Sequence, residues 1–209
     1  MTTGDVTRDD RTATGGDVTA DDEAAADRGW RTTGSRVVYE NRWIRVREDA
    51  VQHPDGKPGV YGVVEVRQPA VFVVAVTDDD EVVLITQHRY TTGPGSVEVP
   101  AGGSDGQQPL VAAQRELAEE TGLAAERWMY VGAVESLNGV ADAPGHVFVA
   151  QGLTRLPGSA AAHQAEEGIS IVRLVPFGQA LAMAAAGEIR DGESLAALAL
   201  AGIHLGRFR

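Results

Sequence analysis

The chain contains no cysteine in 209 residues. That excludes a disulfide framework, a thiolate zinc site and a cysteine nucleophile. No apolar run approaches the roughly 20 residues of a membrane span. Basic residues are few: 18 Lys and Arg stand against 30 Asp and Glu, for a net charge of −12. Such a balance opposes general affinity for nucleic-acid backbone or an anionic membrane, so neither is expected as a partner. Eight of the acids and three arginines lie in residues 1–28, a net of −5 that leaves −7 for the rest. This segment is built from Thr, Asp, Ala and Gly with scattered apolar residues. It cannot bury enough surface to offset its chain entropy and is expected to be a disordered acidic tail. It has neither the apolar centre of a signal peptide nor the arginine-rich, acid-poor character of a transit sequence, so a soluble cytoplasmic protein is expected.

What the chain does have is a dense stretch, Arg115-Glu116-Leu117-Ala118-Glu119-Glu120-Thr121-Gly122-Leu123. On a helix, Glu116, Glu119 and Glu120 share one face at spacings of three and four residues, where like charges repel. Three converging carboxylates become favourable around a hard divalent cation, because Mg²⁺ or Mn²⁺ selects oxygen ligands. Leu110, Ala113, Leu117 and Thr121 recur at helical spacing as an apolar face. Pro109 suits the first helical turn, and Gly122 suits the left-handed residue that ends it.

Around this helix the sequence reads as strands and turns. Arg36–Glu48 and Val60–Arg67 form an N-terminal hairpin (36–67) around the turn Asp55-Gly56-Lys57-Pro58-Gly59. Further strands are expected at Ala70–Thr77, Glu81–His88, Ser96–Val99, Trp128–Ser136, His146–Gln151 and Ile169–Val175. Helices are expected from Pro176 to Ala186 and from Ser194 to Gly202. Asp78-Asp79-Asp80 reads as a solvated turn, since consecutive aspartates there point in different directions. One domain from residue 29 to 209 with a mixed sheet accounts for the whole pattern.

Glu98-Val99-Pro100-Ala101-Gly102-Gly103, a short turn, and the helix with its Arg-Glu opening and Gly-Leu end together resemble the signature of the Nudix hydrolases (box about 101–123). These enzymes cleave nucleoside diphosphates linked to another moiety. The resemblance implies an α/β/α sandwich with an N-terminal hairpin extension, spanning about residues 36–205. The nine-residue core fits the family pattern at every specified position, but upstream Gln107 stands where the pattern has glutamate, and Ala101 where it has glycine. The upstream glutamate supports loop and helix geometry in the family and is not a principal metal ligand.

The resemblance implies Glu116, Glu120 and Glu119 as metal ligands with the Ala101 carbonyl, for Mg²⁺ or possibly Mn²⁺, and Arg115 as the residue that orients the carboxylates. Relatives that hydrolyse ADP-ribose carry the general base on a loop before a late strand. Here Ala160–Gly168 is that loop, with Glu167 favoured, Glu166 close behind and His163 third. Gln87-His88-Arg89-Tyr90 resembles a segment whose arginine faces phosphate; Arg89 could equally pair with Glu98. Ser136–Gly145 resembles the family's substrate loop. Trp43 is a candidate for stacking on adenine, from a hairpin that crosses to a partner subunit in relatives, and a homodimer is therefore expected. The leading expectation is a Mg²⁺-dependent pyrophosphatase acting on ADP-ribose or a similar nucleoside diphosphate-linked small molecule. Action on nucleoside triphosphates or dinucleoside polyphosphates, or a sensor that binds nucleotide sugar without cleaving it, are the alternatives.

Overall fold

The structure is a computed structural model that describes residues 29–158 and 160–208; the acidic tail lies outside the described residues. Its strands are β1 (Arg31–Glu40), β2 (Ile44–Gln52), β3 (Pro58–Val66), β4 (Ala70–Val76), β5 (Glu81–Arg89), β6 (Gly93–Glu98), β7 (Ala101–Gly103), β8 (Leu123–Glu135), β9 (Ala141–Asp142), β10 (Pro144–Arg155) and β11 (Ile169–Pro176). Its helices are α1 (Pro109–Thr121), α2 (Ala161–Glu167), α3 (Phe177–Ala185) and α4 (Gly192–His204).

The described residues divide into two compact units, one holding residues 29–35 with Asp49–Tyr61, the other Arg36–Glu48 with the described residues from Gly62. In the smaller unit Trp30 packs on His53 at 4.3 Å and edge-on against Tyr61 at 5.3 Å. Arg31 donates to Gln52 across the strand pair at 2.9 Å. In the larger unit the remaining parts of β1, β2 and β3 lie in that order, and β9 adds in parallel to β3.

The N-terminal extension is thus a three-stranded meander where two strands were expected. Arg36–Glu48 is not one strand, because the Asn41 side-chain oxygen accepts from the amides of both Trp43 and Ile44, at 2.8 Å each, and turns the chain. This is an Asx-type turn, a backbone-mimicking use of the Asn side chain.

The larger unit's main sheet runs β11-β5-β4-β10-β8, with β6 beside β5 and β7 beside β4. Strands β4 and β10 are parallel and the other pairs antiparallel, so the sheet is mixed. The alternation of a pleated strand divides β4 between two cores. Val71, Val73 and Ala75 pack with Ala112, Ala113 and Leu117 of α1. Phe72, Val74 and Val76 pack on the other face with Ala180 and Met183 of α3 and Ala197, Leu198 and Ala201 of α4. Burial on both faces explains why β4 reads as an unbroken apolar run. The result is the α/β/α sandwich.

Two features of the expected apolar helix face differ. Leu110 is exposed, while Glu116 and Glu120 are buried. Helix α1 closes at Gly122, whose φ of 70° and amide bond to the Ala118 carbonyl form a left-handed cap. Among the described residues no helix is long and apolar enough to cross a membrane.

Candidate active site

The glycine loop runs as β7 along β4, pairing Phe72 with Ala101 and Val71 with Gly102. This register holds the loop backbone against the carboxylate side of α1. The Ala101 amide donates to one Glu120 oxygen at 2.9 Å. The other Glu120 oxygen is buried and has no hydrogen-bond partner. A buried carboxylate oxygen left without a donor is costly unless a ligand supplies the missing interaction.

Glu116 is equally enclosed: a Cβ built on Gly102 would fall 2.1 Å from its Oε1. Only a glycine lets backbone and carboxylate approach so closely. Gly102→Ala is expected to push the Glu116 carboxylate aside and lower turnover by about a hundredfold, since misplacing a reacting group by about 1 Å costs that much. Turnover within threefold of the parent would show that Glu116 has room to shift.

Arg115 ties the loop to the helix. It donates to the Gly103 carbonyl at 2.7 Å, to Glu119 at 2.9 Å and to the Gln107 side-chain oxygen at 3.1 Å, and it contacts Glu116 at 2.9 Å and Asp105 at 3.3 Å. Gln107 therefore meets Arg115 with a neutral oxygen where the family pattern has a charged one.

Burial dominates the acidities. It raises the Glu116 carboxyl to about 7 against the pull of Arg115, with the charges of Glu167 and Glu119 adding to the rise. It raises Glu120 to about 9 despite the Ala101 hydrogen bond, with Glu116 and Glu167 adding. The ordinary value for both is 4.5. Without metal, the folded chain therefore keeps protons at these sites that the unfolded chain has already released. Stability must then fall as pH rises through this window, because the folded state binds more protons. Chelated protein is expected to lose melting temperature between about pH 5 and pH 9, and Glu120→Gln to flatten the slope; equal slopes for both proteins would refute the assignment.

These carboxylates suit a hard divalent cation: two buried acids face each other's charge, and one oxygen lacks a donor. Glu116, Glu120 and the more exposed Glu119 could hold such an ion with a loop carbonyl. Among the described residues no three acidic or histidine side chains already stand in a closed metal-binding arrangement; Glu119 is engaged by Arg115.

The segment expected as a loop at 160–168 is instead helix α2, closed by Gly168 at φ 73°. Its run of Ala, Gln and Glu has high helical propensity, and that outweighs the loop character of the flanking Gly and Ser. Gln164 pins it by donating to the Glu120 carbonyl at 2.7 Å, and the Gly168 carbonyl accepts from the His88 amide at 3.1 Å. Glu167 is near enough to raise both Glu116 and Glu120. Glu166 is one position earlier, and both side chains are exposed. His163 lines a separate shallow pocket beside Glu119 and Gly122.

A cleft of about 650 Å³ is lined by Phe72, Arg89, Ser96, Glu98, Arg190 and Asp191 among others; Glu120 is outside its lining but close enough for its charge to act on Arg89. Arg89 grips the buried Glu98 with two bonds, 3.0 Å and 2.6 Å, and Gln87 adds a third at 2.9 Å. Burial alone would raise the Glu98 carboxyl, but the bonds from Arg89 and Ser96 hold it below its ordinary value. Trp43 is not among the cleft residues. It is exposed in the β1–β2 turn with the Arg42 guanidinium 4.1 Å above its ring. Gln164, Glu98 and the Arg190–Glu193 segment were not singled out as functional from sequence. For Glu98 a signal existed, its place at the head of the Glu-Val-Pro-Ala-Gly frame; the other two carry none without the fold.

A mixed sheet between helix layers, with an acid-rich helix facing a glycine loop beside a polar cleft, defines an α/β/α hydrolase. Residues 66–198 match the NUDIX domain, and residues 30–64 match the nucleoside diphosphate sugar hydrolase N-terminal domain. The chain belongs to the Nudix family and is a pyrophosphohydrolase of its ADP-ribose and nucleoside diphosphate sugar pyrophosphatase-like branch. It is 31% identical to the ADP-ribose pyrophosphatase of Mycobacterium tuberculosis over 180 residues, covering 85% of this chain and 83% of that protein. It is also 31% identical to the methanol dehydrogenase activator of Bacillus methanolicus over 146 residues, 69% of this chain and 77% of that one. In fold it resembles the crystal structure of an ADP compounds hydrolase, with a TM-score of 0.74 at 21% identity over 86% of this chain and 96% of the other.

Proposed function

We propose that this hydrolase of nucleoside diphosphate derivatives is a Mg²⁺-dependent, cytoplasmic enzyme that adds water across the diphosphate of ADP-ribose or a related nucleoside diphosphate sugar and releases two monophosphates. The observation that carries this reading is the pair of buried carboxylates, Glu116 and Glu120, beside a cleft of nucleotide-sugar size. Its support in sequence is the relationship to an ADP-ribose pyrophosphatase over most of both chains.

Glu116 and Glu120 would hold the cation, helped by Glu119 and the Ala101 carbonyl. When bound, the cation supplies neutralisation of diphosphate charge and activation of water. Arg115 holds loop and helix in register, so that the carboxylates stay in place through turnover. Glu167 accepts the proton of the attacking water, with Glu166 the neighbouring candidate, and Gln164 fixes the helix that carries them. Arg89, paired with Glu98 on the cleft wall, is the guanidinium that meets the diphosphate. Incubation with a panel of nucleoside diphosphate sugars, Mg²⁺ or Mn²⁺ and a coupled phosphatase tests the reading. ADP-ribose giving AMP and ribose 5-phosphate is the expected result. Binding without cleavage would make the chain a sensor, and cleavage of nucleoside triphosphates alone would redirect the substrate class.

The protein is further proposed to act as a homodimer. Every residue of β1 is exposed, including Val37, Val38 and Tyr39, and Trp43 beside it is 61% exposed. Ile44 is half-buried, so the apolar surface to be covered centres on β1 and Trp43. A patch of this kind marks an interface. In the dimer Trp43 would stack on the base bound to the partner. Light scattering at micromolar concentration is expected to give twice the chain mass; a monomer mass would remove the shared-site arrangement.

A further inference from the structure

Helix α2 buries none of its side chains, and Gln164 is the one residue of its seven that is not exposed. A helix this short, with so little apolar contact, is not held in place by burial. What Gln164 reaches is the backbone of Glu120, whose carbonyl accepts from its side-chain amide at 2.7 Å. That carbonyl is one of the last four of α1, which find no partner within their own helix. Glu120 is thereby held at both ends, its carboxylate by the Ala101 amide of β7 and its carbonyl by α2.

The direction of this bond matters more than its strength. Around a helix, residues three positions apart are separated by about 60°, and residues two apart by about 160°. Turning Gln164 toward the end of α1 therefore turns Glu167 to the same side and Glu166 away from it. The electrostatics agree, since the charge of Glu167 reaches both Glu116 and Glu120. The far end of the helix is fixed as well. Gly168 closes it at φ 73°, and its carbonyl accepts from the amide of His88, the residue before Arg89, at 3.1 Å. Glu167 thus sits between one anchor on the carboxylate helix and another on the strand that carries Arg89.

We infer that Gln164 is a positioning residue: its bond to the Glu120 carbonyl sets the rotation and reach of α2, and so brings the Glu167 carboxylate to the attacking water. This rests on the base and the substrate class proposed above. Because proton transfer belongs to the transition state, the effect falls on kcat and not on KM.

Gln164→Leu keeps the bulk and helical propensity of the residue and removes its donor. It is expected to lower kcat for the nucleoside diphosphate sugar by about tenfold to a hundredfold, the range for a reacting group displaced by about 1 Å. KM and the metal concentration giving half the maximal rate should stay within about twofold. Melting temperature should fall by less than about 4 °C, as for the loss of one hydrogen bond in a domain of this size. Hydrogen exchange of the amides in 161–168 should quicken while that of β4 is unchanged. The decisive comparison is the double variant. In Glu167→Gln, adding Gln164→Leu should cost less than about twofold in kcat, because the residue acts through the base. A further loss as large as in the parent would overturn the inference, since Gln164 would then act through Glu120 or through the fold. A single Gln164→Leu variant with kcat within about twofold of the parent, or with unchanged exchange across 161–168, would overturn it too. A parent that cleaves none of the panel removes the proposed function, and exchange across 161–168 still decides whether Gln164 holds the helix.

Discussion

Replacing Glu120 by Gln is expected to reduce kcat by at least about a hundredfold while leaving the protein folded and no less stable. Turnover falls because the change removes a charge that would hold the cation against the diphosphate. The fold survives for a reason visible only in the structure. Glu120 is only 1% exposed. Burial raises its carboxyl to about 9, so at neutral pH without metal it is already an uncharged group. Glutamine is close to that neutral acid in shape, and its side-chain oxygen can still accept from the Ala101 amide. Removing a buried titratable acid also removes the tension that grows as pH rises. Steady-state kinetics beside melting curves in chelator checks both halves. A collapse of the metal-free melting temperature would mean that Glu120 is a structural member of the core.

Glu167→Gln should lower turnover by about a hundredfold to ten-thousandfold, the usual cost of losing a positioned base. KM and metal affinity should change little, because proton transfer belongs to the transition state. The comparison with Glu166 is altered by the structure. Adjacent residues on an extended loop would point to opposite sides, whereas on helix α2 they are about 100° apart. Glu167 is the one whose charge reaches Glu116 and Glu120. Glu166→Gln is therefore expected to retain turnover within about threefold. If both single variants and the double variant keep near-normal turnover, no carboxylate of α2 takes the proton.

Much of the fold was legible because local signals and global packing agree. Pro109 and Gly122 bound α1 where expected, since one can start a helix without losing a needed donor and the other can end it at positive φ. The run at Ala70–Val76 could be a central strand only if covered on both faces, and α1 on one side and α3 with α4 on the other cover it. Two segments differ from the local pattern for physical reasons. The Asn41 turn hides inside a β-rich run because its stop is one side chain bonding two amides. Helix α2 has only seven residues and no side-chain cap, so its local propensity is short of a clear signal and a tertiary bond, Gln164 to the Glu120 carbonyl, anchors it.

By itself the sequence determined the family, the order of the elements, the acid-bearing helix and the absence of thiol chemistry, because these rest on residue identity and short-range spacing. Tertiary structure alone decided which charges are solvated and which are committed. Glu116 and Glu120 become weak acids because β7 covers them, and Arg89 is taken by Glu98 because β5 and β6 pair in register. Such assignments depend on partners tens of residues away, and on a desolvation that no local pattern encodes.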